Sequence, residues 1–158
     1  MKAAACAVSV SLQGCLETCR QSERLVRLCI DAPKAQDVFI AIGPQLCHCL
    51  DHYRSLLAGL VSGTIDYDGR AMDPSMENKP DIFLDSLCRV TAELAGLEGI
   101  STTQAIDVVQ TIAPAMQRVV AGSTLERELA FLSSHTLHHL DLVVEIAAGH
   151  GVKLASDR

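Results

Sequence analysis

The sequence predicts an all-α fold: a four-helix bundle with a long crossover between helices 2 and 3 and a small β-hairpin before helix 4. Three observations carry this. Apolar residues recur at intervals of three and four in four separate segments. The apolar mass is Leu, Val, Ala and Ile, with two Tyr, three Phe and no Trp, the usual filling of packed helices. The irregular stretch from Gly63 to about Pro80 is long enough to carry a chain across a bundle. The 158 residues suit a single domain, 1–158, with one core.

The first helix is expected from about Ala4 to Ile30, with Val8, Leu12, Cys15, Cys19, Val26 and Cys29 at helical spacing. Asp31-Ala32-Pro33 stops it, because Pro cannot continue a helix. After a short connector, Pro44 suits the first turn of a second helix. That helix carries Leu46, Leu50, Tyr53, Leu57 and Leu60 and ends near Gly63. The third starts at Pro80-Asp81, where Phe83, Leu87, Val90, Leu94 and Leu97 form one stripe, and it ends by Gly99. From Ala105 to Ala121 the composition turns β-branched on both sides of Ala113-Pro114, which reads as a small hairpin. Ser123-Thr124-Leu125-Glu126 has the form of a capping box. It opens a final helix to about Ala148, with Gly149 as its stop.

The net charge of −6, with no basic stripe, argues against nucleic acid as a partner. No apolar run reaches the roughly 18 to 20 residues that span a bilayer. Lys2 and the small-residue run to Val10, before Leu12-Gln13-Gly14-Cys15, fall short of an export signal. The seven cysteines lie mostly on apolar helix faces, where Cys acts as a small hydrophobe. Free thiols in a reducing cytoplasm are the expectation.

Three of the six histidines crowd into His135-Thr136-Leu137-His138-His139. At about 100° per residue, His135 and His139 lie roughly 40° apart and share a face with Leu132, Leu142, Val143 and Ile146. Two imidazoles one turn apart can bind one metal ion. A pair of hydrogen-bonded core histidines is the bland alternative, yet each buried imidazole then needs polar partners. His138 falls on the flank, and His150 reads as a tail residue. A third ligand must come from elsewhere. The second helix offers His48 and His52, one turn apart, and His52 lies nearer the apolar stripe.

The segments Ile42-Gly43-Pro44-Gln45-Leu46-Cys47-His48-Cys49-Leu50-Asp51-His52 and Ser123 through His139 together resemble the DinB-like metalloprotein superfamily. The resemblance covers nearly the whole chain. It implies a four-helix bundle with a long crossover after the second helix. It also implies a metal triad of one His from the second helix and a His-x-x-x-His pair from the fourth. The second-helix ligand of that superfamily is followed by Asp three positions on, which selects His48, with Asp51. The implied ligands are therefore His48, His135 and His139, leaving room for water or substrate on the metal. Zinc, nickel and ferrous iron all suit three imidazoles.

Glu128 lies about 20° from His135 on the helical wheel and can orient a ligand imidazole, or serve the helix start. The resemblance implies that the crossover folds over the metal end. Arg70 in Asp66-Tyr67-Asp68-Gly69-Arg70 would then hold an anionic substrate group. Cys47 and Cys49 point about 100° away from His48 and cannot easily join it. Cys15 and Cys19 are a soft-metal pair or a buried apolar seam. No nucleotide-binding glycine loop and no Ser-His-Asp order is visible. The expected function is a divalent-metal-dependent enzyme acting on a small molecule, with a homodimer as its assembly; the superfamily resemblance implies thiol chemistry, and thiol transfer or hydrolysis is the expected reaction. The rival is a non-catalytic metal-binding or stress-response protein.

Overall fold

The computed structural model describes residues 9–69, 73–112 and 117–153. Along the chain come α1 (Val10–Ile30), α2 (Ala35–Ser62), β1 (Thr64–Asp66), α3 (Pro74–Asn78), α4 (Pro80–Ala95), β2 (Ala105–Ile112), β3 (Gln117–Thr124) and α5 (Leu125–Gly149). The fold is mixed α/β, which corrects the all-α four-helix bundle expected from the sequence. Four long helices are there, α5 and α4 each packing on both α1 and α2. A three-stranded mixed sheet, in the order β1-β2-β3, is built in among them.

The physical reason for the difference is β1. It has three residues, one of them buried (Ile65), so it shows no alternation to read. Its pairing is parallel and non-local: Thr64, Ile65 and Asp66 stand opposite Asp107, Val108 and Val109. A parallel partner needs a crossover, and here α3 and α4 supply it. The stretch expected to be irregular thus contains both a strand and a short helix.

The hairpin stands where the β-branched run placed it. β2 and β3 pair antiparallel from Ala105↔Thr124 to Ile112↔Gln117. Ile106 and Val108 face the core, whereas Gln117–Gly122 are exposed throughout.

Helix boundaries differ in instructive ways. α1 starts at Val10, with the Ser9 hydroxyl accepting from the Leu12 N–H at 3.3 Å; the stretch expected to precede Ser9 lies outside the described residues. α2 starts at Ala35, well before Pro44, so Pro44 is internal. A proline leaves the carbonyl four residues earlier without its helical donor. That residue is Ile40, and both Ile40 and Pro44 lie on the exposed side, where the carbonyl is not shut away from solvent. The cap of α5 is Thr124, whose hydroxyl accepts from Arg127 N–H. The expected capping box at Ser123 is therefore one residue out, and the Glu126 carboxylate instead takes the hydroxyls of Ser9 and Ser11.

The core joins α1, α2, α4 and α5. Phe39 of α2 packs on Phe83 of α4, ring centroids 6.3 Å apart. Buried Tyr53 binds Thr18 of α1 at 2.8 Å and Thr136 of α5 at 3.2 Å, satisfying three hydroxyls that burial would otherwise penalise. α3 lies against α2 at Gly43. A Cβ there would overlap the Glu77 carbonyl, so only glycine permits that approach. Among the described residues no helix is long and apolar enough to cross a membrane.

Candidate metal centre

α2 and α5 run antiparallel along one interface, and each brings two histidines one turn apart to it. Going up α2 from His48 to His52 corresponds to going down α5 from His139 to His135. Ring centroids lie 4.7 Å apart for His48–His139 and 4.6 Å for His52–His135. Along the helices the spacings are 4.4 Å for His48–His52 and 4.6 Å for His135–His139. Four imidazoles therefore meet as one cluster. The tightest part is His48, His52 and His135, each offering a ring nitrogen within 4.8 Å of the others. His48 Nε2 and His135 Nε2 are 3.1 Å apart.

The three expected ligands, His48, His135 and His139, are all in this cluster, and so is His52. The choice between His48 and His52 is not one the fold makes. The helical wheel was right that His52 sits deeper: it is buried, whereas the other three are half-buried. His138 is exposed on the flank with its ring 5.5 Å from His139. His150 is exposed and caps α5.

Two hydrogen bonds set ring tautomers. His52 Nδ1 is 2.8 Å from the His48 carbonyl. A carbonyl can only accept, so the proton is on Nδ1 and Nε2 carries the lone pair. His139 Nδ1 is 2.6 Å from Gln45 Oε1, with the same consequence. This is the state a metal-binding imidazole requires, with the proton on the nitrogen anchored by an acceptor and the lone pair on the other. Burial, and then the neighbouring His138, push the His139 pKa down, which favours the neutral ring.

The donor set fits a divalent ion. Two nitrogens bound at about 2.0–2.1 Å lie about 2.8–3.4 Å apart for angles between about 90° and tetrahedral. The His48–His135 separation falls inside that range.

Aromatic rings wall the cluster. Phe131, one turn before His135, stacks on it at 5.3 Å and 27°, and the Arg127 guanidinium lies over the Phe131 ring. Tyr67, just after β1, stacks on His52 at 5.2 Å and 20°. Its hydroxyl donates to Glu128 at 2.8 Å. Burial first, and then the Glu128 charge, push the Tyr67 pKa far up, so it stays a donor. Glu128 is fully buried and also accepts from Ser123 Oγ and Arg127 Nη1, both at 2.6 Å. Its link to the histidines therefore runs through the Tyr67 ring.

The crossover does reach the cluster, through Tyr67. Arg70 lies outside the described residues. Asp51, three positions after His48, is buried and ion-paired with Arg54 at 3.4 Å. Both line a separate cleft with Ser62 and Asp66. Cys47 and Cys49 are buried thiols pushed up to about 12 by burial. Cys15 and Cys19 form the apolar seam, Cys15 donating to the Leu129 carbonyl at 3.1 Å. Sequence reasoning passed over Gln45 and Phe131. Each lies about one turn before a cluster histidine, so the same face arithmetic reaches them. Tyr67 is out of its reach, because the parallel β1–β2 pairing brings it in.

No protein-family profile, curated protein or solved structure matches the chain.

Proposed function

We propose that the imidazole cluster between α2 and α5 binds one divalent metal ion, zinc, nickel or ferrous iron, and that the protein is a metal-dependent enzyme acting on a small molecule. The observation that carries this is the 3.1 Å approach of His48 Nε2 to His135 Nε2, with a nitrogen of His52 in the same group. His48 and His135 belong both to the compact triad with His52 and to the expected triad with His139. His139 and His52 flank them, each with Nδ1 anchored. Membership of the DinB-like superfamily belongs to the same proposal, resting on His48-x-x-Asp51 and His135-x-x-x-His139. So do thiol transfer or hydrolysis as the reaction, a cytoplasmic location and a homodimer.

A bound divalent ion supplies Lewis-acid polarisation of a substrate group. The chain's own part is positional. Tyr67 and Phe131 hold His52 and His135 by their faces and exclude water from one side. Gln45 holds the His139 proton on Nδ1.

The second reading, a non-catalytic metal-binding protein, has one observation in its favour. Four imidazoles can saturate a tetrahedral ion, as closed structural sites do. The test begins with elemental analysis of untagged protein, followed by calorimetric titration with zinc, nickel and ferrous iron. The metal site is wrong if no metal co-purifies and the His48→Ala, His135→Ala double variant keeps wild-type affinity. A screen with small thiols and electrophiles then separates the catalytic from the non-catalytic reading.

A further inference from the structure

We infer that His139 is an exchangeable ligand keyed by Gln45, displaced when a small anionic donor of the substrate binds the ion held by His48, His52 and His135. This rests on the metal-centre reading above, and it makes a four-imidazole cluster compatible with an open coordination position.

The four imidazoles are not held alike. His52 is buried, its Nδ1–H is bound to a backbone carbonyl of its own helix, and its face lies against Tyr67. Tyr67 is in turn tied to the fully buried Glu128. His135 is stacked on Phe131, and its Nε2 stands 3.1 Å from that of His48. These three rings form the compact group.

His139 lies outside that group, yet its centroid is within 4.7 Å of His48 and 4.6 Å of His135. Its anchor is the half-buried side-chain amide of Gln45, which has rotatable bonds of its own. A backbone carbonyl inside a helix has none. Rotation of His139 with Gln45 carries Nε2 to or from the cluster without moving either helix.

The displacing group follows from charge. Neutral imidazoles leave a divalent ion its full two positive charges. In a half-buried site an anionic oxygen, nitrogen or sulfur donor gains more Coulombic energy from those charges than a neutral ring does. Thiolates also suit the borderline-soft ions that imidazole selects. The exchange is a substitution: the anion's lone pair enters, the His139 Nε2 lone pair leaves, and His139 keeps its Nδ1 proton on Gln45.

The test uses the full, untagged chain loaded with cobalt(II), whose visible spectrum reports coordination, and azide as the anionic probe. His139→Ala is expected to lower cobalt affinity by less than about tenfold, and His135→Ala by about a hundredfold or more. For comparison, losing an outer-shell partner alone costs about 10- to 100-fold. Azide should bind His139→Ala more tightly than wild type, because no ring has to leave. Gln45→Met should move azide affinity the same way while lowering cobalt affinity no more than His139→Ala does, by less than about tenfold. Far-UV circular dichroism checks that each variant is folded. Equal cobalt losses in His139→Ala and His135→Ala overturn the inference, as does one azide affinity shared by wild type, His139→Ala and Gln45→Met. Failure of the wild-type chain to bind cobalt is a distinct outcome, which removes the metal-centre reading and this inference together.

Discussion

Tyr67→Phe isolates one hydrogen bond behind the cluster. The substitution removes a hydroxyl and keeps the ring, so the stack on His52 survives. What is lost is the 2.8 Å bond to Glu128, a carboxylate with no exposed surface. A hydrogen bond to a charged partner contributes about 1.5–3 kcal/mol. Glu128 keeps Ser123 and Arg127 as donors, so an effect near the lower middle of that range, about 2 kcal/mol, is expected. For a domain of this size that lowers the melting temperature by about 4–8 °C. Urea unfolding without metal measures it, with the midpoint shifted and the m-value unchanged. A double-mutant cycle with Glu128→Gln should give a coupling of about 1 kcal/mol or more. A loss below about 0.5 kcal/mol, or strict additivity with Glu128→Gln, would refute the Tyr67–Glu128 link. Metal affinity should stay within about threefold in Tyr67→Phe and fall in Tyr67→Leu, which also removes the stack.

Gly43→Ala gains about 1 kcal/mol of helix propensity but drives a Cβ into the Glu77 carbonyl. Overpacking of about 1–3 kcal/mol should win, and a melting temperature above wild type would show that α3 does not pack there. Metal affinity should be flat above about pH 7 and fall below about pH 6.5, as protons compete for the imidazoles; titration calorimetry between pH 5 and 8 reads this, and a flat profile counts against imidazole ligation. Of the described cysteines, Cys88 is exposed and the others are buried, with Cys15, Cys47 and Cys49 pushed up to about 12 and Cys19 to about 11 by burial. Peptide mapping after brief native alkylation near pH 7.5 should therefore find Cys88 labelled well before those four. The same raised values make a contribution to stability that is present below the unfolded-chain value of 9.0 and is lost as pH rises from there towards 11–12. Chemical denaturation at pH 8 and pH 10 should show that fall.

The long helices were legible because their apolar stripes are local and periodic. Phe83, Leu87, Val90 and Leu94, read from spacing alone, are all buried on α4. The start of α2 is not legible in the sequence because Pro44 suits a first turn, whereas its exposed position lets the helix run through it. β1 was not legible, since three residues with one buried side chain carry no period and their partner lies in a distant segment. With β1 unseen, the mixed sheet reduced to a hairpin, and a bundle was the natural inference. The same gap hid Tyr67, whose place against His52 depends on where the sheet puts the end of β1.

The histidines show how far face arithmetic goes and where it stops. It placed His135 and His139 on one face and noted His48 and His52 one turn apart. A choice between His48 and His52 rests on the assumption that one helix turn supplies one ligand. Two helices packed antiparallel remove that assumption. A turn rises about 5.4 Å, and the ring spacings of 4.4 and 4.6 Å along the helices nearly match those of 4.7 and 4.6 Å across them. Two i,i+4 pairs in register therefore close into a four-sided cluster, skewed so that His48 and His135 approach to 5.1 Å across it, and all four rings enter it. What tells the rings apart is how each is held: by a backbone carbonyl and a tyrosine tied to Glu128 for His52, and by a side-chain amide for His139. That difference lies in partners from other parts of the chain, Tyr67 above all, and the helix carrying His135 and His139 gives no sign of it.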